Sequence, residues 1–225
     1  MKKTILSVFT VLMIAYGCSG KREANLPVVF EIVADTLDIG QLNDWLKLRN
    51  TEVSVYQWKN HWVLFGTFGD LEAAQEEIAQ RYPEAAIHIY DKPFYEFNRK
   101  QCDNQDIAPE WEHVIMTANL VADTVLQQEY MHYHARQQEL FPEVAQGFCN
   151  ADFQRLLVFR QGRQLMLIIS IPKGKTLDEL NPKTTENNPR VDEWNAIMSK
   201  YQEGIEGTAP DETWGNCELR MINYE

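Results

Sequence analysis

Residues 28–35 read VVFEIVAD, an alternating segment that predicts a strand, and 39–50, IGQLNDWLKLRN, sets Leu42, Trp45, Leu46 and Arg49 at helical spacing. In VSVYQWKNHWVLFGTF, 53–68, two β-rich runs flank the polar pair Lys59 and Asn60, the pattern of a tight hairpin. The stretch 70–83, DLEAAQEEIAQRYP, opens on a capping aspartate, carries Leu71, Ala74, Ile78 and Tyr82 on one stripe and stops at Pro83. AAIHIYDKPFYEF, 85–97, supplies a closing strand.

The same order then recurs. HVIMTANLVAD, 113–123, predicts a strand, a helix starts near 125, and LLVFRQGRQLMLIISIP, 156–172, predicts a hairpin around Gln161 and Gly162. After a loop rich in Asn, Pro and Lys, 191–205 shows helical spacing at Val191, Trp194, Ile197, Met198 and Tyr201, and 217–225 closes with a strand. The two hairpins align without a gap. This pattern predicts an α+β protein made of two tandem ferredoxin-like β-α-β-β-α-β units, a diverged duplication spanning 27–105 and 106–225 and joined by QCDNQDIAPEWE. Each unit leaves one sheet face open, and two such faces bury each other as an intrachain dimeric α/β barrel.

The first residues, MKKTILSVFTVLMIAYGC, put two lysines ahead of an apolar run too short to span a bilayer comfortably, which marks 1–17 as an export signal. Ala15, Tyr16 and Gly17 before Cys18 resemble the lipobox of bacterial lipoproteins. That resemblance implies lipid on Cys18, a tether over 18–26, and attachment at the bacterial cell envelope, on the periplasmic or surface side of the outer membrane. A plain secretory signal is the alternative. Loss of the signal with Lys2 and Lys3 takes the net charge from −12 to −14, which argues against nucleic acid as a partner. With Cys18 lipidated, Cys102, Cys149 and Cys217 allow one disulfide at most, in a compartment that permits it.

Tyr130 and His134 lie four apart, on one face of the predicted helix, where a phenol and an imidazole suit acid/base work on one small ligand. His132 points roughly 200° away from His134, so the pair chelates badly and no metal site is expected. Asp123 either orients His134 or caps the helix. Trp194 belongs to an apolar stripe, and an indole also stacks on a pyranose. Trp58, His61 and Trp62 form a second sugar-site candidate against ordinary cross-strand pairing, and His88 reads as a satisfied strand histidine.

EYMHYHARQQELFPEVAQGF, the hairpin GRQLMLIISI and NPRVDEWNAIMSKYQEGIEGTAPDETW resemble, in order and spacing, the L-rhamnose mutarotases, over about 114–225. The family is a small dimeric ferredoxin-like barrel that interconverts the α and β anomers of L-rhamnose without a cofactor. By position the resemblance implies His134 as the acid/base residue, with Tyr130 and Trp194 as contacts to a 6-deoxyhexose in one shared cavity. This chain departs from the family at Asn195, where a second tryptophan stands. The hairpin tyrosine position falls near Leu156, with Phe153 and Arg155 as neighbours, and three extra residues separate His134 from FPE. The N-terminal half has no equivalent Tyr-x3-His pair and is expected to be the built-in structural partner. The function expected is an exported, lipid-anchored mutarotase. The alternatives are a non-catalytic sugar-binding envelope lipoprotein and a partner-binding barrel.

Overall fold

The computed structural model describes residues 27–49 and 51–223, so Cys18 and the signal lie outside the described residues. The chain runs β1 (Val28–Val33), α1 (Ile39–Leu48), β2 (Val53–Trp58), β3 (His61–Gly66), α2 (Leu71–Arg81), β4 (Ala86–Tyr90) and β5 (Tyr95–Asn98). It continues with β6 (Trp111–Leu120), α3 (Thr124–Ala135), α4 (Gln137–Leu140), α5 (Pro142–Asn150), β7 (Arg155–Gln161) and β8 (Gln164–Pro172). The last elements are α6 (Leu177–Leu180), α7 (Pro182–Thr185), α8 (Pro189–Met198), β9 (Gln202–Glu203) and β10 (Gly215–Asn223).

The strands form one curled antiparallel sheet in the order β4-β1-β3-β2-β10-β6-β8-β7-β5, with β9 on β6. The predicted closing strand over 85–97 is split. Pro93 lies in the break, where it cannot donate to a ladder; β4 stays on β1, and β5 crosses to β7, pairing Tyr95 with Val158 and Phe97 with Leu156. β10 makes the converse crossing: Gly215 to Cys217 pair with β6, and beyond them the strand pairs with β2 through an irregular step between Leu219 and Met221.

Both sheet faces are covered, which explains the near-continuous apolar strands. On β1, Phe30 and Ile32 pack with Leu42, Trp45 and Leu46 of α1 and Ile78 of α2, while Val29 faces the inside of the curl with Val63, Ile115, Leu157 and Ile168. Helix starts follow the caps the sequence carries: Asp38 accepts from the Gln41 N–H, Asp70 from Ala73, and Asp123 from Val125 and Leu126. The helix expected from 125 is interrupted at Arg136 and Phe141, so the extra residues before FPE form the turn of α4. The predicted helix over 191–205 starts earlier and stops at Met198, after which Gln202 and Glu203 form β9. The Asn/Pro/Lys loop contains the short helices α6 and α7, and α5 sits so close to α7 that a Cβ on Gly147 would come within 2.6 Å of the Thr184 carbonyl oxygen.

One charge is sealed inside the curl. Glu31 is 0% exposed and accepts from His61 Nδ1 (2.7 Å), His88 Nδ1 (2.9 Å), the Tyr90 hydroxyl (3.0 Å) and Gln164 Nε2 (2.7 Å). Burial pushes its pKa up, yet the hydrogen bonds and charge of His61 and His88 outweigh that and bring it down to about 2. Its bond to Gln164 ties the N-terminal strands to the C-terminal ones, and Gln164 in turn donates to Thr117 (3.1 Å). Cys102 and Cys149 form a disulfide that fastens the segment after β5 to α5, while Cys217 is a free, buried thiol held up at about 12 and so unreactive.

Two outcomes follow for stability. Glu31→Ala leaves two imidazoles, a phenol and an amide without their acceptor and costs about 3–5 kcal/mol, measured by denaturant unfolding at neutral pH. Glu31 has a depressed folded-state pKa, so its contribution is fully present above the ordinary glutamate value of 4.5 and drains away as the pH falls toward 2 in the wild type. Reducing Cys102–Cys149, which closes a 47-residue separation, lowers unfolding free energy by about 4 kcal/mol on the loop-entropy scale, read from denaturation with and without reductant.

Candidate functional site

Helix α3 presents Tyr130 and His134 toward the outer face of the sheet, and α8 brings Trp194 against them. The ring centroids lie 4.2 Å apart for Tyr130 and His134, and 5.1 Å apart for His134 and Trp194. Tyr130 is 1% exposed and Trp194 7%, whereas His134 keeps part of its surface open. The three residues meet in one aromatic cluster. Four clefts elsewhere on the described structure are lined by other residues. A pyranose sandwiched between two rings needs about 7–8 Å, two van der Waals contacts, so a sugar either covers the open side of His134 or parts these rings.

Within the helix, His134 Nδ1 lies 3.0 Å from the Tyr130 carbonyl oxygen. An oxygen with no hydrogen requires a proton on Nδ1, which leaves Nε2 with a lone pair. Among the described residues nothing hydrogen-bonds that second nitrogen. Burial among aromatic rings pulls the His134 pKa down to about 4, partly opposed by the bond to the backbone carbonyl, so the ring is neutral at physiological pH. Tyr130 is moved the other way. Burial raises its pKa and keeps the phenol protonated, with Gln202 Nε2 donating to its oxygen at 3.3 Å. A neutral imidazole and a protonated phenol thus sit one turn apart, while Asp123 caps the helix.

Two further rings come from the N-terminal half, and the sequence reading missed both. Phe94 and Tyr95 meet His134 edge-on at 5.5 and 5.4 Å, placed there by the crossing of β5 to β7. The Tyr95 hydroxyl donates to Gln137 Oε1 at 2.9 Å, and Gln137 is itself bonded to the Phe141 carbonyl. The signal available was the Pro-Phe-Tyr run at 93–95, an aromatic pair just past a strand break. Leu156 and Phe153 belong to the neighbouring core, Arg155 pairs with Glu96, and Asn195 is exposed, so none of these joins the cluster.

The other histidines are engaged elsewhere. His61 and His88 serve Glu31, and Trp62 donates to the Ala34 carbonyl and packs in the outer core, on the opposite face from the Trp58–His61 ring contact. His113 bonds Ser170 Oγ at 2.9 Å, and exposed His132 lies 3.5 Å from Arg136. Among the described residues no group of His, Cys, Asp and Glu is arranged to hold a metal ion, and no helix is long and apolar enough to cross a membrane.

The profile of L-rhamnose mutarotases matches residues 113–221, the segment that supplies Tyr130, His134 and Trp194. An L-fucose mutarotase of Xanthomonas campestris pv. campestris is 30% identical over 93 residues, covering 41% of this chain and 72% of that protein. Through its C-terminal half, the chain belongs to the L-rhamnose mutarotase family.

Proposed function

We propose that the protein interconverts the α and β anomers of a 6-deoxyhexose such as L-rhamnose, with His134 as the acid/base residue and Tyr130 and Trp194 as sugar contacts. The observation that carries this reading is the fixed tautomer: the Tyr130 carbonyl holds the proton of Nδ1 and leaves Nε2 as a proton acceptor. Nε2 takes the proton of the C1 hydroxyl as the bond from C1 to the ring oxygen breaks, and the ring oxygen is protonated by the phenol or a water. The open-chain aldehyde turns about its C1–C2 bond, and the ring closes on the other carbonyl face as the protons return. No electrons are gained or lost. The family match and the fucose-acting relative support a monosaccharide and an isomerase-type reaction.

In the same reading the N-terminal half is a diverged copy that takes the place of a second subunit. The strand order last-first-third-second occurs in β4-β1-β3-β2 and again in β10-β6-β8-β7, and each half lends its final strand segment to the other. Export and lipid attachment at Cys18 complete the proposal. They rest on the N-terminal sequence alone and place the enzyme at the cell envelope.

Anomer exchange of L-rhamnose, followed by saturation-transfer NMR above the spontaneous rate, is expected to fall about 10²–10⁴-fold in His134→Ala, the usual worth of a positioned proton carrier. Unchanged exchange refutes the assignment; sugar binding with no exchange in the wild type favours the non-catalytic binding protein. Because His134 is neutral down to about pH 4, the wild-type rate is expected to be level through the neutral range and to drop only as the ring protonates near that pH. Tyr95→Ala removes a wall contributed by the N-terminal half and is expected to raise KM about tenfold with a smaller change in kcat; unaltered kinetics would separate that half from the site.

A further inference from the structure

The inside of the curl opens at one end into a cleft of about 700 Å³, within the roughly 300–1,000 Å³ typical of small-molecule sites. It lies on the opposite sheet face from His134: along β7, Leu157 and Phe159 point inward, whereas Leu156 and Val158 face the helices. The cleft draws its walls from both halves of the chain, with β2 and β3 on one side and β6, β7 and β8 on the other.

Its chemistry is layered. At the inner end, His113 and Ser170 are hydrogen-bonded to each other at 2.9 Å beside the Arg155 guanidinium, whose Nε and Nη2 both donate to Glu96 Oε1. Of the aromatic rings along the walls, Trp111 is half-buried while Tyr56 and Phe65 are nearly covered, and Leu219 is 49% exposed in the cleft. Phe65 meets His113 edge-on at 4.9 Å, which holds the imidazole in place. At the rim stand Glu52, Glu110 and Glu112, with Lys173 bonded to Glu110 at 2.6 Å. An anion entering meets the rim carboxylates, and a cation reaching the floor meets Arg155. A neutral ligand that offers a hydroxyl to His113 and a C–H face to Trp111 meets neither penalty.

We infer that this mouth is a second binding site, for a neutral saccharide, separate from the His134 cluster. Its occupant lies between Trp111 and Ser54 of β2 and reaches His113, which Ser170 holds from behind, so both halves of the chain contribute to recognition. The volume accommodates more than one pyranose, which distinguishes it from the tightly packed rings around His134.

The test is an amide and indole NMR titration of the purified full-length chain with L-rhamnose, cellobiose and maltotriose, using glutamate and putrescine as anionic and cationic controls. The expected result is a saturable shift of the Trp111 indole and the Ser170 amide with at least one neutral sugar. It should persist in His134→Ala and weaken about tenfold or more when Leu219→Trp fills the mouth. Glu52→Trp, at an exposed rim position, serves the same end should Leu219→Trp fold poorly. Three results overturn the inference: no saturable shift with any of the three sugars, shifts produced by glutamate or putrescine in place of sugars, or shifts that vanish in His134→Ala. Since the readout is binding at mouth residues, absence of anomer exchange in the wild type refutes only the proposed catalysis.

Discussion

A sheet that must be buried on both faces governs this molecule. Strands such as VVFEIV and LMLIISI carry apolar side chains to both sides, and each side needs a cover. Helices cover the outer face; the inner face is covered by the sheet curling on itself, which requires strands from both halves of the chain. The crossing of β5 to β7 and of β10 to β2 satisfies that need and has two results. It binds the N-terminal half to the family segment through backbone ladders, and it carries Phe94 and Tyr95 to His134. Architecture and candidate site therefore share one cause.

Inside the curl the electrostatic order is consistent with that burial. A lone carboxylate in an apolar interior would be protonated or would unfold its surroundings, yet Glu31 stays ionised because four donors surround it. Removing this knot would leave the interior without the side-chain bond between Glu31 and Gln164 that joins the halves. On the outer face the logic is reversed: His134 is held neutral by apolar surroundings, and a backbone carbonyl fixes its tautomer. The same kind of side chain is thus a structural partner at 61 and 88 and a neutral ring with its Nε2 unengaged among the described residues at 134, and environment alone separates the two states.

Much of the fold was legible because its determinants are local. The stripe of Leu42, Trp45 and Leu46, the caps at Asp38, Asp70 and Asp123 and the Lys59–Asn60 turn each act over a few residues, and periodicity reads them directly. The crossings were not legible, since pairing between Tyr95 and Val158 is a contact across 63 positions that no local pattern encodes. Glu31 occupies an ordinary polar position in an alternating strand, and only tertiary structure discloses its partners at 61, 88, 90 and 164. In the site, Tyr130 with His134 was readable from helical spacing, and Trp194 entered through family resemblance. Phe94 and Tyr95 stayed hidden for the same reason as the crossing that delivers them.

The central claim is that His134 is a neutral base with its proton fixed on Nδ1. Long-range ¹H–¹⁵N correlation spectra of the imidazole at neutral pH measure this directly. The expected pattern is a protonated Nδ1 and an unprotonated Nε2 whose resonance moves when L-rhamnose is added. An imidazolium, or a ring with the proton on Nε2, would contradict it.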